Sequence, residues 1–386
     1  MKTVHYMCYY ATTNDERNLA AHPAGTTKMT YVIQSIKKAG YFVKVFSTAP
    51  TKNRFLCHYK SKYITIDDQQ SVYYIDTFGS RFKFIRFLLI FWNRIQVLKY
   101  IFLNIKENDT LLVYHSPAYI NTLKIAKFFK RFYLIVEVEE IYSVATNKRK
   151  KLQREEIQYL KMVPDGYILV NDIMAKILNF NKPYIVSYSS YNLPKINGQT
   201  YESEKINVIY AGIIEKKKQG AFIAANTARY LNQKYFINIL GFGQQNDLIE
   251  LSNIIDEINK EKGFEIIKFH GSLRGSQYSD FLSKCHIGLS THTMEGDFVD
   301  LSFPSKLLVY IAHNVIPVCA KIPCVLRSKI SDCVVYYKDN TPESVAEAIT
   351  GIDLSIKKDM RQLISDLDSQ FLLELDNLIK QFTREA

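Results

Sequence analysis

The sequence predicts an α/β protein made of two doubly wound, parallel-sheet domains in series. Three observations predict it. Strand-like and helix-like patterns alternate along the first half, and a polar segment carrying Pro194 and Gly198 interrupts them before they restart at Ile206. A strand, a helix and another strand in succession imply a crossover connection, which makes the strands parallel and puts helices on both faces. The length of 386 residues also exceeds one ordinary core, so two domains are the natural division.

In the first half, residues 3–9, 41–47, 71–76, 111–115, 133–137, 166–170 and 184–189 read as strands. Helical spacing falls between them at 27–38, 82–103, 118–130, 149–161 and 172–179. The stretch 192–205 is polar and aperiodic and reads as a linker. Beyond it, strands are expected at 206–211, 235–240, 265–270, 286–290, 316–319 and 333–337, and helices at 220–231, 246–261, 277–284, 305–312 and 342–350. Residues 352–384 have the i, i+3, i+4 apolar spacing of a helix. The expected domains are therefore 1–195 and 196–352, with 353–386 as a helical tail that can pack back on the first. In open parallel sheets ligands bind beyond the carboxyl ends of the strands. Two such sheets facing each other would line one cleft.

An apolar fraction of 47% is ordinary for a folded chain. The net charge of +12 is unevenly spread: residues 1–195 hold 29 Lys and Arg against 14 Asp and Glu, while the rest carry −3. The first half thus suits an anionic surface, whether nucleic acid, anionic lipid or a phosphorylated acceptor. No nucleic-acid-binding signature accompanies the charge, which sets nucleic acid aside. None of the six cysteines forms a CxxC pair or stands at zinc-ligand spacing. They read as small buried hydrophobes in a reducing compartment. No leader peptide and no span of about 18 apolar residues is evident. Residues 81–106, rich in Phe, Ile and Leu, hold the only Trp. This helix is expected to bury its apolar face on the sheet, and a basic edge of Lys83, Arg86 and Arg94 could touch anionic lipid.

Four strand ends in the second half carry chemistry. The first is Gly212, followed by Lys216, Lys217 and Lys218, a close-approach residue with point charges for a diphosphate; a lysine run is also a common solvated loop. The second is Gly241 and Gly243, a G-x-G turn signal that is weak alone. The third holds His270, read as structural. The fourth is Phe303-Pro304-Ser305-Lys306, where Ser302 reads as an N-cap and Pro304 as first-turn residue. A helix start with Ser305 and Lys306 would hold phosphate, or would be a well-capped helix without a ligand. In the first half, Gly25 and Thr26 lie before a helix. His115 and Glu140 end two strands, and Glu137 and Glu139 share a strand face in a basic domain. No D-x-D pair stands at a strand end, so no metal is expected.

Together, YAG, KKKQG, ILGFG, FHGSL, YSDFLSKCHIGLS and FPSKLLVYIAHNVIPV, in this order over residues 206–320, resemble the C-terminal domain of glycosyltransferase family 4. This is an enzyme group of GT-B fold, with two Rossmann-like domains, found in bacterial capsule, exopolysaccharide and O-antigen synthesis. The resemblance implies a retaining, metal-independent and cofactor-free transferase acting in the cytoplasm or at the inner face of the plasma membrane. It would move a sugar from a nucleotide-diphosphate sugar to a glycan or lipid-linked acceptor. Gly212, Lys217, Lys218, Ser305 and Lys306 would hold the diphosphate, Gly241 and Gly243 would lie near the base, and Gly25 and Thr26 near the phosphates. His115 would act as general acid/base or as a donor to the reacting sugar, and Glu140 would orient an acceptor hydroxyl. The chain departs from the family at Leu301 and Val309, where glutamates are common and the second contacts the ribose. Glu295, Asp297 and Asp300 lie just upstream. The departure leaves a second reading, a non-catalytic partner that binds and stabilises an active transferase.

Overall fold

A computed structural model describes residues 2–12, 15–20, 23–146, 148–178, 181–195, 205–291, 301–355 and 359–383. The chain divides into two compact units, one of Met1–Ser190 with Ser369–Ala386 and one of Tyr191–Asp368. Most of the expected linker, 196–204, lies outside the described residues.

The first unit contains β1 (Thr3–Cys8), β2 (Phe42–Ser47), β3 (Cys57–Tyr59), β4 (Lys62–Asp67), β5 (Gln70–Tyr74), β6 (Thr77–Gly79), β7 (Thr110–Tyr114), β8 (Tyr133–Val138), β9 (Gly166–Leu169) and β10 (Tyr184–Val186). Eight of them form one sheet in the order β10-β9-β8-β7-β1-β2-β5-β4. All its pairings are parallel except β4 with β5. The parallel strands are nearly continuous apolar runs because helices cover both faces. β3 and β6 pair apart as a small antiparallel sheet. Sequence patterning passes over β4 because every residue of it is exposed or half-buried, leaving no apolar run to detect.

Two helices of this unit differ from expectation. The helix after β1 spans Pro23–Lys38, so Gly25 and Thr26 lie inside its first turns and not ahead of it. Proline suits the opening turn, where its missing N–H has no intrahelical partner to lose. The helix Lys83–Asn104 was expected to bury its apolar face, yet among its residues only Val97, Tyr100 and Ile101 are buried. Its C-terminal turns pack on the sheet and its N-terminal turns stand in solvent. The tail helix, Arg361–Thr383, brings Phe371 onto Tyr31 at 5.5 Å and Phe382 onto Tyr133 at 5.2 Å between ring centroids. Asp376 accepts a hydrogen bond from Tyr41 at 2.9 Å.

The second unit contains β11 (Ile206–Ile214), β12 (Tyr235–Gly243), β13 (Ile267–Phe269), β14 (Ile287–Ser290), β15 (Ile316–Ala320) and β16 (Val335–Tyr337). They form a parallel sheet in the order β13-β12-β11-β14-β15-β16. Both β11 and β12 run three residues beyond the expected ends. Gly212 and Gly241 face each other in register, as do Ile214 and Gly243. A Cβ on Gly241 would collide with the Gly212 carbonyl oxygen, and one on Gly243 with that of Ile214. The G-x-G signal thus marks two strands in unusually close approach and not the expected turn. Gly241→Ala is expected to lower unfolding stability by about 1–3 kcal/mol in urea titrations, the usual cost of overpacking. An unchanged midpoint would show that the backbone yields freely here.

Each sheet has one switch point where the chain reverses its direction of winding. It falls between β1 and β7 in the first sheet and between β11 and β14 in the second. Strand ends at such points open the crevice in which ligands bind.

Candidate functional site

In the second unit the switch point is built around two tyrosines. Tyr310 is fully buried; its hydroxyl donates to Leu289 O at 3.2 Å and accepts from Ala211 N at 3.3 Å, tying β14 to β11. Tyr210, 4% exposed, donates to Ile213 O at 3.2 Å. Thr291 follows β14 and donates to Gly220 O at 2.7 Å, fixing the start of the helix Gly220–Thr227. These contacts satisfy backbone groups at the strand ends.

Lys306 reaches into this crevice. Its Nζ lies 4.4 Å from the centroid of the Tyr210 ring, a cation–π arrangement. The same atom lies 2.9 Å from where a Cβ on Gly212 would stand, so a side chain there would displace the end of the lysine. No carboxylate of the described residues pairs with it. Burial pulls its pKa down to about 8, and the charge of Lys218 acts in the same direction. A desolvated ammonium without a counter-charge favours an anion.

The other expected donor-side residues are placed differently. Lys216 is paired with Glu250 at 2.7 Å, and Lys218 lies 3.7 Å from Glu215. Lys217 is exposed in the same turn. Ser305 is exposed with helical backbone angles and makes no side-chain cap bond. The helix opens at Lys306, not near Ser302 and Pro304, and spans only Lys306–Ala312. Pro304 instead offers its carbonyl to Leu307 N at 3.0 Å. Val309 packs with Ala211, Leu273, Tyr278 and Phe281 against the Tyr310 cluster, so its surroundings are apolar. Glu295, Asp297 and Asp300 lie outside the described residues.

In the first unit, the switch point holds a buried charge cluster. Glu137, next to last in β8, has no exposure, and Tyr6 donates to its Oε2. Its Oε1 has no hydrogen-bond partner among the described residues. Lys28, 3% exposed, sits one turn into the helix after β1. It donates to Ser187 Oγ at 2.7 Å and to the carbonyls of Ser187 at 3.0 Å and Ser189 at 3.2 Å. Its Nζ also lies 3.4 Å from Glu139. The paired acidic residues read from the sequence thus find their cation 111 positions away in the chain (139 against 28). Burial raises the Glu137 pKa to about 7; Lys28 opposes the shift and Glu139 adds to it. Glu139 is raised as well, by burial first.

His115 and Glu140 are not brought into one pair. His115 is 2% exposed, and its Nε2 lies 2.7 Å from Glu156 Oε1. Glu156 also accepts from the backbone of Tyr142 at 3.0 Å and Ser143 at 2.7 Å. These bonds hold the Glu156 pKa below the usual carboxylate range despite burial. The histidine thereby clamps the turn after β8. Glu140 is half-buried beside it, and its charge helps raise the Tyr142 phenol, which burial raises most. Gly25 lies near Tyr114, whose hydroxyl would be 3.7 Å from a Cβ there. Tyr210, Thr291, Tyr6 and Lys28 are the residues that pattern reading did not assign. For Tyr210, Thr291 and Tyr6 the one signal is position, at or just after strands flanking a switch point; Lys28 lies inside the helix that follows β1.

Among the described residues no three His, Cys, Asp or Glu side chains are grouped to hold a metal. All six cysteines are free.

No protein-family model and no curated protein matches the chain in sequence. Solved structures match it end to end. The α,α-trehalose 6-phosphate synthase of Burkholderia multivorans is similar with a TM-score of 0.68 at 9% identity, over 100% of this chain and 99% of that one. The sucrose-phosphate synthase of Thermosynechococcus elongatus gives 0.67 at 12%, over 100% of both. HepE of Anabaena, solved in complex with UDP, gives 0.63 at 13%, again over 100% of both. The fold is that of the GT-B glycosyltransferases, an α/β architecture of two Rossmann-like parallel-sheet units with a helical C-terminal tail.

Proposed function

We propose that the protein is a nucleotide-sugar-dependent glycosyltransferase of the family 4 kind, serving polysaccharide synthesis at the cytoplasmic side. The observation that carries this is Lys306, a desolvated ammonium with no carboxylate partner among the described residues, held over Tyr210 beside Gly212 at the switch point of a GT-B second unit. A diphosphate there would gain a charge-assisted hydrogen bond. As the sugar leaves, the growing negative charge on the diphosphate would meet a positive group already in place, which is how a site without a metal stabilises such a leaving group. Lys217 and Lys218 in the adjoining turn add positive field, and Ser305 offers a hydroxyl. The apolar wall at Val309 faces the base and ribose, and Gly241 and Gly243 serve by holding β12 tight against β11.

The first unit takes the acceptor, a glycan or lipid-linked saccharide. Glu140 orients an acceptor hydroxyl, while His115 acts as a positioning residue through Glu156. Retention at the anomeric carbon and independence of metal belong to this reading. UDP-linked donors come first in testing, because the HepE structure carries UDP and a trehalose-6-phosphate synthase of the same fold was solved with UDP-2-fluoro glucose.

A thermal-shift series with UDP-, GDP- and dTDP-sugars tests the donor half. One of the three is expected to raise Tm by about 5 °C at about 100 times its Kd, since a ligand bound only by the folded state stabilises it. No shift with any of them, and no hydrolysis of any, would sink the proposal. A second reading is favoured by Val309 and by the commitment of His115 Nε2 to Glu156: the fold is kept to bind and stabilise an active transferase. A Tm shift without transfer or hydrolysis would select it.

A further inference from the structure

The helix Lys83–Asn104 leaves much of its apolar surface uncovered. Phe84 is 72% exposed, Phe87 68% and Phe91 61%, with Leu88, Ile90 and Trp92 also exposed. A monomeric protein in water rarely leaves so much contiguous apolar surface without a partner. The helix contains no Asp or Glu. No helix among the described residues is long and apolar enough to cross a membrane, so an apolar face of this kind can lie along a bilayer but not span it.

Beside this face is a cavity of about 640 Å³. Its walls are the segment after β2, from Pro50 to Arg54, the strand β6, and the N-terminal turns of the helix. Lys52, Arg54, Lys83 and Arg86 line it, and no carboxylate does. All four cations are exposed, and none is in an ion pair among the described residues. The apolar part of the wall is Pro50, Phe78, Phe87, Leu89 and Ile90. Next along the chain from Arg54, Phe55 is 62% and Leu56 84% exposed, extending the apolar surface past the basic opening. Cations grouped beside exposed aromatic rings match a molecule with an anionic head and an apolar body.

We propose that this face seats the protein on an anionic bilayer. A phospholipid phosphate sits in the cavity among Lys52, Arg54, Lys83 and Arg86, and Phe84, Phe87 and Phe91 enter the interface. Charge complementarity selects a bilayer over a second copy of the chain. Residues 1–195 carry 29 basic against 14 acidic side chains, so two copies meeting through this face would bring four unpaired cations against four. Juxtamembrane basic groups are instead drawn to anionic headgroups, and aromatic rings settle at that depth. The inference concerns binding alone and does not rest on the transferase reading.

Vesicle flotation of the full chain tests it. Binding to phosphatidylcholine vesicles with about 30% phosphatidylglycerol is expected to exceed binding to pure phosphatidylcholine at least about tenfold, and to weaken with salt. Lys52→Gln, Arg54→Gln, Lys83→Gln and Arg86→Gln together should abolish the anionic preference. Phe84→Ser, Phe87→Ser and Phe91→Ser together should weaken binding to both vesicles, with circular dichroism and Tm confirming that each variant folds. Equal binding to the two vesicles overturns the headgroup site. A dimer in light scattering that the phenylalanine changes disrupt, without vesicle binding, assigns the face to a second copy and overturns the proposal. Inorganic phosphate raising Tm through the same four cations, again without vesicle binding, makes the cavity a free-phosphate site and also overturns it.

Discussion

Lys306→Ala is expected to weaken nucleoside diphosphate binding by about 10- to 100-fold, the usual worth of a charge-assisted hydrogen bond removed from a desolvated site. Isothermal titration with UDP reads it directly, and an unchanged affinity removes Lys306 from the phosphate site. The pH dependence supplies a second readout. Burial holds the free ammonium down to about 8, and a bound diphosphate would favour its charged form and raise that value. Below pH 8 the lysine is already charged and binding takes up no proton there. Above it, binding must first protonate the amine, so affinity falls as pH rises from 8 toward the raised value. The alanine variant lacks that decline. The same decline in both proteins would assign the titration to another group.

Lys28→Ala is expected to cost about 3–5 kcal/mol of unfolding free energy at neutral pH, because it leaves the buried Glu137 and the half-buried Glu139 without their cation. Lys28 lies 3.4 Å from Glu139, and its charge opposes the upward shift of Glu137. Adding Glu139→Gln should recover part of the loss, since one stranded charge is gone. The pH profile distinguishes this from simple loss of packing. Burial pushes the Glu137 pKa up from 4.5 to about 7 in the folded protein. Between those values the folded state binds more protons than the unfolded one, so this group makes stability fall as pH rises through that window. Without Lys28 the folded value rises further and the window extends above 7. The gap between wild type and variant should therefore be widest above pH 7 and narrow below 5. A gap of under about 1 kcal/mol, or one independent of pH, would show that Lys28 does not neutralise this pair.

The core strands and helices were legible in the sequence because each carries its own periodicity. β1, β2, β7 and β8 are largely apolar runs, and the helix Pro342–Thr350 was read with the bounds it has. The strand β4 was not legible, since an edge strand with no buried residue lacks that signal. Glycines misled at β12. A glycine pair after an apolar run marks either a turn or a close strand approach, and only the register against Gly212 and Ile214 decides between them.

The site was legible only in part. Lys306 could be picked out because it follows Phe303-Pro304-Ser305 ahead of an apolar helix, but its value as a phosphate ligand depends on Tyr210 and Gly212, nearly a hundred positions earlier. His115 was visible as a strand-end histidine. Its partner Glu156 lies on the helix Lys150–Met162, and only the tertiary structure shows that contact.

By itself the sequence determined that this protein has two parallel-sheet units, and that its excess positive charge lies in the first half. Both follow from local features, the period of the apolar residues and the count of charges, which no folding changes. Tertiary structure alone decided which charges are neutralised and which apolar faces are covered. Lys28 found Glu139, Lys216 found Glu250, and Lys306 found no carboxylate among the described residues. The helix Lys83–Asn104, apolar enough to be expected inside, was left with its aromatic turns outside. Pairing and burial depend on contacts between segments far apart in the chain, and the periodicity of one segment carries no record of what another will place against it.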